Sequence, residues 1–158
     1  MSEAASAAAG PFHPSRGFYR FVVLVIAGLL TFGSYFAYDS VGALVDTLLK
    51  AWHTDRQAIG GLYTLYSVAA IVVVFLGGML IDRIGTRAAS LVFSALIVVG
   101  ACIVALAPNV LVAGLGRLVF GAGSESLVVA QSAILARWFK GKELAFSFGF
   151  TLAIARLG

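Results

Sequence analysis

Five long apolar runs, separated by short polar segments, make up almost the whole chain after its first seventeen residues. A helix needs about 20 mainly apolar residues to cross the hydrocarbon core of a bilayer, and most of these runs reach that length. Hydrophobic residues form 61% of the chain and charged residues only 11%. No alternation of period two is present, so the sequence predicts an all-α membrane protein rather than a barrel.

The runs predict five membrane helices and one further helical segment. The helices are expected at about 18–38, 58–81, 88–107, 110–137 and 143–158. Residues 41–52 place their apolar side chains on one helical face, which predicts an interfacial helix or an extension of helix one. Thr54 and Gln57 have the spacing of a capping box for helix two, and Asn109 is expected to cap helix four. Residues 1–17 are rich in alanine and serine and are expected to form a disordered cytoplasmic tail.

The fifth run is still apolar where the given sequence stops, at Gly158. A helix that stopped inside the membrane would lack a closing loop and an interface anchor. We therefore expect the chain to be the amino-terminal part of a longer protein, whose second half supplies the rest of any binding site.

Basic residues lie mainly on one side of the predicted membrane. That side carries Arg16, Arg20, Arg83, Arg87, Arg137, Lys140 and Lys142, whereas the other carries only Lys50 and Arg56. Because cytoplasmic loops are enriched in positive charge, the amino terminus is expected in the cytoplasm. The charges form no single patch, so nucleic acid is not an expected partner. The expected partners are the lipid bilayer and a small-molecule substrate.

The residue types required for several other functions are lacking or scattered. Cys102 is the only cysteine and lies in an apolar run, where it is expected to be a packing residue. His13 and His53 have no metal-ligand companions nearby in the sequence, so neither a metal nor another cofactor is expected. The sequence has no recognisable nucleophile–base pair or phosphate-binding loop, and the protein is not expected to be an enzyme.

Glu125 lies in the middle of the fourth apolar run. A charge near the bilayer centre is costly, so an intramembrane carboxylate is by default expected to be functional. The expected partner is Arg156, in the next apolar run. An acid and a base on neighbouring helices would match the two ends of a small zwitterion. They could also simply neutralise each other, and the sequence leaves both interpretations open.

The loop between predicted helices two and three has the spacing G-x-x-x-D-R-x-G-x-R. Gly78 is expected to let a neighbouring helix approach, and Asp82 to pair with arginines or to cap a helix. Gly85 is expected to take a positive φ at the turn, and Arg83 and Arg87 supply the positive charge. The pattern resembles the signature loop of the major facilitator superfamily.

Arg117 opens a second motif, G-R-L-V-F-G-A-G, on predicted helix four. Its glycines, Gly121 and Gly123, are expected to permit close helix packing. About 12 Å of helix rise separates Arg117 from Glu125, so the two cannot pair directly. Arg117 is expected near the non-cytoplasmic end, to snorkel or to pair across the bundle, in either a structural or a transport role. An arginine followed by glycines resembles the helix-four pattern of the same superfamily.

Longer strings resemble one branch of this superfamily, the lysosomal dipeptide transporters. They are G-S-E-S-L-V-V-A-Q at 123–131, W-F-K-G-K-E-L at 138–144 and A-R-L-G at 155–158. The resemblance implies a twelve-helix fold, of which helices one to four and most of helix five are present. It also implies transport of dipeptides by alternating access and uniport. Glu125 and Arg156 would contact the amino and carboxylate ends of the peptide.

Five further side chains are weaker candidates for the substrate path. Gln131, two turns beyond the acid, is expected to line the cavity or to hydrogen-bond another helix. Tyr35 and Tyr38 on helix one, and Tyr63 and Tyr66 on helix two, are expected either to line the path or to pack. Among the tyrosines, Tyr35 and Tyr66 are the preferred candidates for substrate binding.

Two alternative functions remain open at this point. The first is a proton-coupled antiporter of drugs or other organic solutes, with Glu125 taking up and releasing the proton. The second is a non-transporting scaffold or receptor, in which Glu125 and Arg156 would be only structural. In an animal, the resemblance implies the lysosomal membrane and an accessory membrane glycoprotein as partner. In a prokaryote, it implies the plasma (inner) membrane.

Overall fold

The computed structural model describes residues 17–139 and 141–157, and all regular structure in these ranges is α-helical. The helices are α1 (Gly17–Ala43), α2 (Val45–Trp52), α3 (Arg56–Ala105), α4 (Val110–Trp138) and α5 (Lys142–Ala155). The predicted all-α class is therefore confirmed. The expected disordered tail, 1–17, lies outside the described residues except for Gly17, where α1 begins.

The second helix, α2, follows α1 almost directly. Helix one was expected to end near residue 38, but α1 extends to Ala43, and only Leu44 separates it from α2. The apolar face of α2 packs against a buried cluster that α1, α3 and α4 contribute. This cluster consists of Val41, Ile59, Leu62 and Ala113. Residues 41–52 thus extend helix one and dock on the bundle, because burying the apolar face on protein removes it from water.

Two helical segments, 56–84 and 86–105, are joined within α3 at Gly85. Gly85 has φ = 82° and ψ = 156°, whereas the residues on both sides are helical. Glycine takes such a positive φ without steric cost, and the structure agrees with the expectation for this position. Among the described helices, α1, α3 and α4 are long and apolar enough to cross a membrane, and α5 is shorter.

Close packing joins α4 to both segments of α3. A Cβ atom built on Gly121 would lie 2.6 Å from the carbonyl oxygen of Tyr66, and one built on Gly123 would lie 2.6 Å from that of Phe93. A side chain at either glycine would therefore force the helices apart. From the start of α4 toward its end, the residues it contacts in the first segment rise in residue number (Leu65, Tyr66, Gly77). Those it contacts in the second segment fall in residue number (Val104, Gly100, Phe93). The two segments are therefore antiparallel, and the chain reverses at Gly85.

The close-packing glycine near the end of the first segment is Gly77, not Gly78 as expected. A Cβ built on Gly77 would lie 2.5 Å from the Ser126 Oγ atom, whereas one built on Gly78 would meet no described atom within 4 Å. Successive helical residues point about 100° apart because a turn holds 3.6 residues. Only one glycine of the pair can therefore face α4.

The amino-terminal caps of α3 and α4 are both acceptor side chains. α3 is capped by Asp55, whose Oδ1 accepts a hydrogen bond from the Ala58 N–H at 2.7 Å. The predicted capping box of Thr54 and Gln57 is wrong by one residue, because two adjacent residues were both good cap types. Asn109 caps α4 as predicted, since its Oδ1 accepts from the Val112 N–H at 3.0 Å.

The last helix, α5, packs mainly on α1. Near the end that was expected to face the cytoplasm, α1 and the end of α4 form one apolar cluster. Its buried members are Leu24, Ala27, Leu135 and Phe139. An ion pair between Arg20 and Glu143 joins α1 to the first turn of α5. Further along the membrane, α1 and α4 are joined instead by polar side chains, which surround a cavity.

Candidate functional site

A cavity of about 210 Å³ lies between α1, α3 and α4 and contains Glu125. Its lining residues are Ser34, Tyr35, Tyr38, Tyr66, Ser124, Glu125 and Val128. The cavity thus combines a single carboxylate with hydroxyl groups and aromatic rings. Small-molecule sites of this kind use a few placed polar groups on an otherwise apolar wall. The carboxylate makes a ligand with a cationic group the best match, since a buried charge needs a partner.

Glu125 belongs to a hydrogen-bonded network that joins three helices. The hydroxyl of Tyr66, on α3, donates to the Glu125 Oε1 atom at 2.7 Å and also lies 3.2 Å from the Ser124 Oγ atom. Ser124 in turn lies 2.6 Å from the Oγ atom of Ser34, on α1. Glu125 is half-buried, and no described residue donates to its Oε2 atom. One carboxylate oxygen thus accepts a hydrogen bond from protein, and the other accepts none from the described residues.

Arg156 caps the carboxyl end of α5, and its guanidinium carbon lies 5.5 Å from the centre of the Tyr35 ring. Tyr35 also lines the cavity of Glu125. Within the described residues, however, the ion pairs are Arg20–Glu143 and Arg56–Asp46. Arg156 thus lies against a tyrosine that lines the cavity of Glu125, and the expected acid and base form no ion pair among the described residues.

Gln131 uses its side chain to hold α1 against α4. Its Oε1 atom accepts from the Thr31 hydroxyl at 2.5 Å, and its Nε2 atom donates to the Ala27 carbonyl oxygen at 3.2 Å. Hydrogen bonding to another helix, one of the two roles expected for Gln131, is present, and Gln131 does not line the Glu125 cavity. Gln131 also borders a second cavity of about 120 Å³, which shares Tyr35 and Val128 with the first.

Arg117 is 1% exposed and lies among aromatic rings rather than near water. Its guanidinium carbon is 5.5 Å from the ring centre of Tyr38, 5.2 Å from that of Tyr63 and 5.6 Å from that of Phe120. Its Nη2 atom donates to the Tyr38 carbonyl oxygen at 2.8 Å. Snorkelling is therefore wrong for this residue, and pairing across the bundle is right. The surrounding rings stabilise the cation through their negative faces, and Tyr63 does not line the Glu125 cavity.

The signature-loop residues lie at the hairpin end of α3, far along the chain from the cavity residues. Asp82, Arg83 and Arg87 are all exposed. Within the described ranges, Asp82 forms no ion pair and caps no helix, so neither interaction expected for it is present. All three side chains are exposed where the chain reverses at Gly85.

The sequence interpretation missed Thr31 and Ser34, although a signal for them exists. Together with Tyr35 and Tyr38 they occur at positions i, i+3, i+4 and i+7 of an otherwise apolar helix. That spacing places all four on one helical face. A polar stripe on a membrane helix indicates a surface that faces protein or a water-filled cavity rather than lipid. The periodicity of the polar residues of α1, rather than of its apolar ones, therefore predicts that Thr31 and Ser34 face the cavity side.

The chain matches the Major Facilitator Superfamily over residues 27–158. It is 42%, 44% and 41% identical to the lysosomal dipeptide transporter MFSD1 of Danio rerio, Mus musculus and Homo sapiens. Each match covers 92% of this chain and 32% of the relative, so the chain spans about a third of the length of these curated relatives. No solved structure matches it. The chain belongs to the major facilitator superfamily, and the resemblance to the dipeptide transporter branch is confirmed.

Proposed function

We propose that the protein transports dipeptides across a membrane by alternating access, and that this chain supplies the amino-terminal share of the substrate site. Glu125 binds the peptide's ammonium group, and Arg156 binds its carboxylate. The observation that carries the proposal is the separation of these charges, since the two form no ion pair although Arg156 lies against Tyr35, which lines the cavity that contains Glu125. A zwitterionic ligand needs two opposite charges that are fixed apart and not already satisfied by each other.

Three further observations support the proposal. The relatives from Danio rerio and Mus musculus carry the name of a lysosomal dipeptide transporter. The Glu125 cavity lies in the middle of α4, and transporter sites lie near the bilayer midplane. The cavity of about 210 Å³ is also smaller than a typical drug site of about 300–1,000 Å³. That size fits a site completed by a second half of the protein.

A thermal-shift screen of the full-length protein in detergent tests the substrate class. The panel contains dipeptides, single amino acids, sugars and cationic drugs, because a ligand that binds the folded state raises its Tm. We expect dipeptides to stabilise the wild type, Glu125→Gln to abolish that shift, and Glu143→Gln to retain it. Glu143 is the matched control, as it pairs with Arg20 outside the cavity. Stabilisation by drugs alone, or a dipeptide shift that survives Glu125→Gln, would overturn the assignment.

We assign the transport mode as uniport, with the amino terminus in the cytoplasm and the lysosomal membrane as the site of action. The experiment is dipeptide uptake into proteoliposomes that contain a pH-sensitive dye. Uptake without a pH change in the lumen supports uniport. Acidification or alkalinisation that requires the dipeptide would overturn uniport, and a pH change that a drug or other organic solute drives instead of the dipeptide would establish the proton-coupled antiporter. A scaffold or receptor would give no uptake and would tolerate Glu125→Gln combined with Arg156→Leu.

A further inference from the structure

Among the described residues, Tyr66 is the one whose side chain hydrogen-bonds to the Glu125 carboxylate. Its hydroxyl donates to the Glu125 Oε1 atom at 2.7 Å and has a second acceptor, the Ser124 Oγ atom, at 3.2 Å. A hydrogen bond to a charged carboxylate is stronger and more directional than one between neutral groups. The Tyr66 hydroxyl is therefore able to fix the direction in which the carboxylate points.

The ring of Tyr66 is itself held in place from two sides. The Tyr38 ring centre lies 4.7 Å away, and the Phe120 ring centre lies 5.9 Å away. Arg117 touches both of these rings from outside the cavity. In addition, the backbone carbonyl of Tyr66 packs against Gly121, where a Cβ atom would not fit. Ring and backbone are thus both immobilised, so the hydroxyl has little freedom to leave Glu125.

We propose that Tyr66 is a positioning residue that orients the Glu125 carboxylate, occupying Oε1 so that Oε2 faces the cavity to accept the substrate's ammonium group. Tyr66 acts through Glu125 rather than by binding the peptide itself. The role in substrate selection rests on the proposed function. The hydrogen-bonded pair exists without any ligand and can be tested separately.

The first experiment measures binding of alanyl-alanine and of its N-acetyl derivative to the full-length protein. The variants are the wild type, Tyr66→Phe and the matched control Tyr63→Phe, which also removes a phenol from α3 but outside the cavity. We expect Tyr66→Phe to reduce the preference for the free amine about tenfold, the effect of one hydrogen bond to a charged group, and Tyr63→Phe to leave it unchanged. If Tyr66→Phe caused only a general structural defect, it would lower the affinity for both ligands equally, and that result would overturn the proposal.

The second experiment needs no ligand. It compares the Tm of the wild type, Tyr66→Phe, Glu125→Ala and the double variant in detergent, because a double-mutant cycle isolates the coupling between two residues. We expect Tyr66→Phe to lower Tm in the presence of Glu125 and to have a smaller effect in Glu125→Ala, where only the contact with Ser124 remains. Additive changes would overturn the positioning role. If the wild type binds neither peptide, the proposed function fails, and this cycle alone decides whether Tyr66 orients Glu125.

Discussion

The two faces of α4 are packed in opposite ways. Toward α3, glycines bring the backbones so close that a Cβ atom built on Gly100 would lie 2.5 Å from the Phe120 backbone nitrogen. Toward α1, the central contacts are hydrogen bonds such as Ser34–Ser124 and Thr31–Gln131, and they border cavities of about 210 and 120 Å³. The face of α4 toward α3 is therefore a close-packed joint, and the face toward α1 is a polar surface that borders cavities.

The difference shows how one helix can be both fixed and functional. Lipid is as apolar as leucine, so membrane helices associate through close backbone approach and hydrogen bonds rather than through a hydrophobic driving force. α4 uses close approach on the side of α3, which holds Glu125 on a rigid support. It uses hydrogen bonds on the side of α1, where close packing would have filled the cavity.

The largest effect that would test this comparison is expected at Gly100. Gly100→Ala places a Cβ atom against backbone that cannot move aside, and we expect it to destabilise the protein by about 3 kcal/mol, at the upper end for overpacking. Thermal or denaturant unfolding in detergent measures the change. Gly60→Ala is the control, since its Cβ would meet no described atom within 4 Å. Equal stability of the two variants would mean that the α3–α4 joint is not closely packed.

A smaller loss of stability is expected at Arg117, where the two faces meet. Arg117→Met removes the hydrogen bond to the Tyr38 carbonyl and the contacts with three rings. We expect a loss of about 2 kcal/mol in unfolding free energy. Arg117→Lys keeps the charge but not the planar stacking. Its unfolding free energy should therefore lie between those of the wild type and Arg117→Met. If Arg117→Met unfolds like the wild type while transport is lost, the residue serves transport rather than structure.

The smallest effect is expected for the hydrogen bond between Thr31 and Gln131. The coupling measured by a cycle of Thr31→Val and Gln131→Leu should be about 0.6 kcal/mol, which is the average for hydrogen bonds between membrane helices. Ser132→Ala is the control, because its hydroxyl bonds within α4 to the Val128 carbonyl oxygen. A coupling as large as the Gly100 effect would show that the polar face, too, is a rigid joint.

Much of the fold could be predicted from periodicity and composition. The helical class, the reversal at Gly85 and the Asn109 cap follow from local rules, since each depends on residues close together in the chain. The errors were local as well. Choosing Gly77 over Gly78 required knowledge of which way α3 faces α4, and choosing Asp55 over Thr54 required knowledge of where α3 begins.

The candidate site was predictable only in part. Glu125 and Arg156 stand out because charges are rare in apolar runs, and Tyr66 was one of two tyrosines, with Tyr35, preferred for substrate binding. No sequence rule distinguishes Tyr66, which reaches the Glu125 carboxylate, from Tyr63, which packs on Arg117. The two residues are separated by less than one helical turn, and their roles differ because their side chains point to different neighbours.

The sequence by itself determined that the chain crosses a membrane as helices, which of its charges are costly, and where the chain can turn. These properties depend on the transfer of each residue into lipid and on local backbone geometry. The tertiary structure decided that Glu125 bonds Tyr66 rather than Arg156, and that Arg117 lies among aromatic rings. Those choices depend on helix rotation and on the close approach of α3 to α4, which many weak contacts determine together.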